Sequence, residues 1–124
     1  PLVRARQETG AASTLAVLPN HDPARETPLW SENGRLVAVG GERPAGADGP
    51  WLFTGLQAAS EALLLRIPEG VSELARDVLR PSAAARDGAF VLVPFEAPKD
   101  GFWFDLGTPE RLAYAEAVVR GQAV

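Results

Sequence analysis

Residues 101–112 read GFWFDLGTPERL, and no other stretch of this chain says as much about its architecture. Gly101 to Leu106 reads as a short strand, and a period of two puts Phe102 and Phe104 on one face and Trp103 and Asp105 on the other. A helix start follows at once. Thr108 suits the N-cap, Pro109 suits the first helical position, and Glu110 places negative charge at the positive end of the helix dipole. Leu112, Ala115 and Val119 then give an apolar stripe, Glu116 and Arg120 form an i,i+4 pair, and Gly121 is a good terminator. Asp105 therefore sits where a strand hands over to a helix.

Upstream, short apolar runs alternate with breakers, of which the chain has 12 Gly and 11 Pro. That punctuation is typical of an α/β domain with substantial loops. Ser13 to Leu18 (STLAVL) reads as a buried strand ended by Pro19-Asn20. Asn33-Gly34 predicts a type I′ hairpin between a strand near Thr27 to Ser31 and another at Arg35 to Val39. Gly40 to Gly49 (GGERPAGADG) reads as a loop leading into a strand at Trp51 to Leu56, where Gly55 flags either close backbone approach or relief of strand crowding. Ser60 to Ile67 has a helical pattern stopped by Pro68 and Gly70. Ser72 can cap a second helix carrying Leu74, Val78 and Leu79, which Pro81 ends or kinks. Ala89 to Phe95 (AFVLVPF) is almost continuously apolar, as expected of a strand covered on both faces. Such a strand wants neighbours on both sides, so a severed half-sheet would expose an edge and apolar surface.

The 124 residues suit a single domain, with 12 Lys+Arg against 16 Asp+Glu, one His and no Cys. A chain of this length buries roughly two thirds of its unfolded surface and needs no covalent or metal staple. The lack of Cys excludes disulfides, thiolate nucleophiles and Cys-ligated zinc. A formal charge of −4, with the basic residues scattered, argues against a nucleic-acid or anionic-membrane binder. No apolar run approaches the ~18–20 residues of a membrane-spanning helix, and no basic-then-apolar leader opens the chain, so a cytoplasmic location is the default expectation. The start at Pro1, without a Met and within what reads as helix or loop, suggests a piece of something longer.

Few groups could carry chemistry. His21, the sole histidine, lies in a Pro/Asn/Asp loop with no nucleophile beside it and reads as loop surface. Asp105 has two readings: it supports the cap of the following helix, or it joins backbone N–H groups and the dipole in a site for a hard cation such as Mg²⁺ together with substrate phosphate oxygens. Glu42-Arg43-Pro44 is either a solvated turn or a pair in which the carboxylate accepts from sugar hydroxyls and the guanidinium grips a phosphate. Trp103 is either core filler or a stacking platform. Thr54-Gly55 could present backbone groups to a ligand.

These residues fall into a pattern. GFWFDLGTPERL resembles the W-x-D-x-G-T-P-E segment of sugar-1-phosphate nucleotidyltransferases, the NDP-sugar pyrophosphorylases. In family order, TLAVLP resembles the strand after the first metal-binding aspartate segment, and NGRLVAVGGERP the stretch ending in an E-K-P motif. FTGLQAASEALLLRIPEG resembles F-T-G-I and its helix, and SELARDVLRP the later helical region, so the likeness runs from about Ser13 to Val119. Within the family, the chain resembles the mannose-1-phosphate guanylyltransferase-like and N-acetylmuramate-1-phosphate uridylyltransferase-like subgroups.

The resemblance implies a Rossmann-like, GT-A-like α/β domain with a mixed sheet and flanking helices. Residues 1–124 would be its C-terminal, sugar-phosphate-binding half, without the N-terminal half that carries the Gly-rich nucleotide loop and a first metal-binding Asp. It implies that Asp105 is the second metal-binding carboxylate and a catalytic residue, with Mg²⁺ as the cofactor. Glu42 would match the sugar-binding Glu, and Arg43 would replace the usual phosphate-binding Lys with changed geometry. Thr54, Gly55 and Trp103 would meet the sugar. The implied reaction joins a sugar 1-phosphate to a nucleoside triphosphate, giving NDP-sugar and pyrophosphate. The missing half, or a homodimer mate, is the implied protein partner. A second reading keeps the frame without the chemistry, as a non-catalytic α/β binding or interaction domain.

Overall fold

The computed structural model describes residues 1–96 and 102–121. Its centre is strand β1 (Ser13–Pro19), in which Ser13 to Val17 are all buried. Leu15 and Val17 are fully enclosed, contributing about 1.5–3 kcal/mol each by burial. β1 runs antiparallel to β4 (Asp48–Ala59) and parallel to β5 (Phe90–Pro94). Its two buried hydroxyls are satisfied: Ser13 donates to the Gln57 amide oxygen at 2.8 Å and Thr14 to the Leu2 carbonyl at 2.7 Å. Thr14 thereby ties down helix α1 (Leu2–Thr9), which Gly10 ends at a φ of 69°.

Strands β2 (Leu29–Glu32) and β3 (Arg35–Val39) form the expected hairpin. Asn33 and Gly34 both take positive φ, 50° and 77°, as a type I′ turn requires. β2 also pairs with β4, and β3 pairs with β5, so the five strands close in the order β1-β4-β2-β3-β5. The mixed sheet and α/β class hold, and the sheet is small and closed, which leaves the Rossmann-like part of the expectation unsupported. Closure also removes the exposed edge foreseen for a half-sheet: β5 has β1 on one side and β3 on the other. Apolar surface does remain, with Leu64, Leu65 and Val71 among the exposed side chains.

β4 is twice the expected length because it pairs with β2 from Asp48 and with β1 as far as Ala59, and a bulge explains its glycine. Leu15 faces Gln57 while Val17 faces Phe53, so β4 carries extra residues across that step. Gly55 lies within them at a φ of 90°, with open space where a Cβ would stand. No other part of the chain approaches or crowds it, so its role within the fold is conformational. Close approach occurs instead at Gly49, where a Cβ would lie 2.9 Å from the Leu29 carbonyl oxygen and 3.0 Å from the Trp30 ring.

The helical region departs furthest from expectation. Helix α2 covers only Glu61–Leu64 instead of running to Ile67. Leu63 alone is buried there, and one anchored side chain cannot stabilise further turns. Ser72 does not cap the next segment. Glu73 precedes a π-helical turn, Leu74–Leu79, which continues directly into helix α3 (Arg80–Ala85). Pro81 does not end this run, because the Arg80 N–H already reaches back five residues to Ala75 and leaves the proline's missing donor at the start of the α-helical register. Val78, Leu79 and Ala83 complete a core with Leu15, Val17, Leu29, Leu36, Phe90 and Leu92.

Gly101 lies outside the described residues, and Phe102 to Leu106 form no strand. The sheet described has no free edge to receive one. Helix α4 (Pro109–Val119) forms as expected: Thr108 accepts from the Arg111 N–H at 3.2 Å and Gly121 follows at a φ of 71°. Its stripe packs little. Ala115 is buried, while Leu112 and Val119 stay exposed. Glu116 and Arg120 form no ion pair within 4.0 Å among the described residues.

Asp87 knots three elements together. Its carboxylate accepts from Ser82 Oγ at 2.5 Å, Arg66 Nη1 at 2.8 Å and the Ala89 N–H at 3.0 Å. Partial burial disfavours its charge, but the hydrogen bonds from Ser82, Arg66 and Ala89 outweigh that cost and lower its pKa. The stabilisation is therefore complete above the ordinary carboxylate pKa and fades as pH falls through the lowered folded value. Asp87→Ala is expected to cost about 1–3 kcal/mol in urea unfolding at pH 7 and to flatten the acid limb of the stability profile. Gly49→Ala is expected to cost about 2 kcal/mol or more, because overpacking and backbone strain act together, whereas Gly34→Ala incurs only the strain. Urea midpoints of the two variants measure the difference.

Candidate functional site

A cavity of about 800 Å³ opens between the end of β1 and the segment leading into α4. Leu18 and Pro19 of β1 and Leu52 of β4 form its floor, with Leu18 directly opposite Leu52 in the sheet. One wall is the loop after β1, and the other is 103–114.

The loop wall is built on Asn20, which is buried. Its side-chain amide donates to the Glu26 carbonyl at 2.9 Å, and its side-chain oxygen accepts from the Asp22 N–H at 3.0 Å. Asp22 in turn accepts through its carbonyl from the N–H groups of Arg25 and Glu26, at 3.1 and 2.9 Å. Asparagine in a Pro-Asn-His-Asp-Pro stretch suits this role, since its amide mimics a backbone turn. His21 is exposed, as expected of loop surface, but lies in the cavity wall.

The opposite wall is held by aromatic contacts and charge. Phe104 packs on Phe102 with ring centroids 5.1 Å apart, and edge-on against Tyr114 of α4 at 5.3 Å. Phe102 and Phe104 thus do share a side, but without strand pleating Trp103, Phe104 and Asp105 all line the cavity. Asp105 accepts from the Gly107 N–H at 3.0 Å and forms an ion pair with Arg111. Arg111 reaches across to Glu26, with Nη2 to Oε1 at 2.9 Å.

Of the residues singled out in the sequence, the structure brings together Asp105 and Trp103 at this cavity. Glu42, Arg43, Thr54 and Gly55 lie outside its lining. Glu42 is exposed in the loop before β4. Arg43 donates to the Gly49 carbonyl at 2.9 Å and stands over the Trp30 ring at 5.5 Å. Thr54 donates to the Ala16 carbonyl at 2.9 Å, two residues along β4 from Leu52. Sequence reasoning missed Glu26 and Arg111. Arg111 did leave a signal, because a cation in the first turn of a helix opposes the dipole and calls for a compensating partner.

Four carboxylates line the cavity (Asp22, Glu26, Asp105, Glu110) against two guanidiniums (Arg25, Arg111), which with neutral His21 leaves a formal −2. Such walls suit hydroxyl donors and aromatic-stacking rings better than a bare anion. The donor set does not by itself fit a divalent cation. Among the described residues no three His, Asp or Glu side chains group as ligands, and the Asp105 carboxylate is already engaged by Arg111 and Gly107. No helix among the described residues is long and apolar enough to cross a membrane.

No family model matches the chain, and no curated protein compared with it does. Among solved structures it is similar to a Bacillus anthracis protein provisionally named a glucose-1-phosphate thymidylyltransferase, whose crystal structure contains a sucrose. The TM-score is 0.59 at 20% identity, over 95% of this chain and 47% of that one. The chain thus spans about half the length of that protein. The likeness shows the fold: a mixed α/β unit like part of a sugar-1-phosphate nucleotidyltransferase, without support for the mannose guanylyltransferase subgroup.

Proposed function

We propose that this chain forms the sugar-phosphate-binding part of a nucleotidyltransferase site, with the sugar ring in the cavity between Asn20 and Asp105. One observation supports the reading above others. The segment whose sequence resembles the nucleotidyltransferase motif, through Trp103, Asp105 and Thr108, is the segment that walls the cavity.

The electrostatics favour one orientation. Carboxylates at Asp22, Glu26 and Asp105 can accept from ring hydroxyls, and Trp103 offers an apolar face, so the neutral sugar belongs inside. The phosphate belongs at the mouth, away from the net negative lining. There an oxygen of the sugar 1-phosphate would attack the α-phosphorus of a nucleoside triphosphate, forming one P–O bond while the bond to pyrophosphate breaks. Nucleotide binding would come from outside this chain, from another part of the same protein or from a second copy. For Thr54 and Gly55 to take part, the ligand must extend past the lining along β4 beyond Leu52, and for Glu42 and Arg43 it must reach the loop before β4, by Gly49. No step is assigned to Mg²⁺, since Asp105 would first have to leave Arg111.

That last pairing favours a second reading, in which the chain binds a sugar phosphate without catalysing. Both readings require sugar binding. Calorimetry with glucose 1-phosphate is expected to show saturable binding that Trp103→Ala weakens about tenfold and Arg43→Gln changes by less than about twofold. Absence of saturable binding would sink both readings. Added nucleoside triphosphate is expected to give no pyrophosphate with this chain alone, and release of pyrophosphate would decide for catalysis.

A further inference from the structure

We infer that Arg111 is the positioning residue of the cavity, clasping Asp105 on one wall and Glu26 on the other and so setting the distance between them. This rests on the reading of the cavity as a sugar-phosphate site. Three observations carry it.

The first is how little else holds the second wall in place. Among the described residues, the Arg111–Glu26 contact is the one hydrogen-bonded or ionic tie between 102–121 and 1–96. Burial adds little, because α4 encloses only Ala115. The second is the quality of the contact. The guanidinium meets Glu26 through both terminal nitrogens, at 2.9 and 3.5 Å, and the two side chains are 29% and 28% exposed. An exposed pair such as Arg25–Asp22, at 4.0 Å with side chains 78% and 52% exposed, contributes little by comparison. The third is the residue type. A planar fork can serve two carboxylates on different elements at once, where a lysine would act as a point charge on one. The cation also stands in the first turn of α4, where the dipole opposes it, and the two carboxylates offset that cost.

Arg111 therefore acts through others. It holds Asp105 and Trp103 at a fixed gap from the Asn20 loop, and it tempers the negative charge a ligand meets. Losing either end of the Glu26 contact should widen the cavity while leaving the barrel folded.

The test pairs glucose 1-phosphate calorimetry with amide hydrogen exchange on the whole chain, for Glu26→Gln, Arg111→Met, the double variant and Arg111→Lys. Both single variants are expected to weaken binding about tenfold and to speed exchange in α4, with the β1 and β5 amides unchanged. The double variant should lose no more than either single one, and Arg111→Lys should not restore binding. Wild-type affinity with unchanged α4 exchange in Glu26→Gln would overturn the clasp. So would losses that multiply to about a hundredfold in the double variant. If the unmodified chain binds no glucose 1-phosphate, the sugar reading falls, and exchange alone decides the clasp: faster α4 exchange in Glu26→Gln upholds it and unchanged exchange refutes it.

Discussion

Everything in this molecule depends on burying β1 on both faces and pairing it on both edges. Leu15 and Val17 on one face and Thr14 and Ala16 on the other can all be buried only if other chain covers each side of the strand. Their backbone groups can be enclosed only if β4 and β5 take up the hydrogen bonds. One antiparallel and one parallel neighbour make the sheet mixed. The parallel partner also demands a long crossover, and the chain supplies it by way of β2, β3, β4 and the helical region.

Closing five strands into one small sheet demands sharp local geometry, and glycines provide it at different points for different reasons. Gly34 turns the β2–β3 hairpin, Gly55 accommodates the β4 bulge opposite β1, and Gly49 lets β4 approach Leu29 and Trp30. β4 pairs with β1 from Trp51 to Ala59 and with β2 from Asp48 to Trp51, which accounts for its length. Where β1 emerges from this sheet, its last residues Leu18 and Pro19 become the floor of the cavity. The site is thus a consequence of how the core strand ends.

Charge is distributed around that cavity differently from the rest of the surface. Asp87 and its three donors form a compact structural knot, and its lowered pKa marks a group held for stability. Asp77, lowered to about 2 by its hydrogen bonds to Arg76 and the Glu73 N–H, belongs to the start of the π-helical turn. The cavity carboxylates instead stand around a cleft, and the pair at Asp105 and Glu26 is bridged by Arg111 of α4. Their arrangement suits a ligand rich in hydroxyl groups.

From the sequence alone, local chemistry was legible. Asn33-Gly34 specified its turn, Thr108-Pro109-Glu110 specified a helix start, the apolar runs at 13–18 and 89–95 specified buried strands, and Asp105 stood out at the approach to a helix. Each of these is fixed by neighbours within a few residues. What the fold alone decided was long range. It decided that the sheet closes and leaves 102–106 without a strand to join. It turned Gly55 into a bulge residue and Gly49 into a contact, and it stopped α2 after one turn for want of a second buried side chain. Above all, it set Glu26 against Arg111, 85 positions apart in the chain. No local pattern encodes that pair, because its energy comes from two walls meeting across a cavity that exists only once β1 is buried.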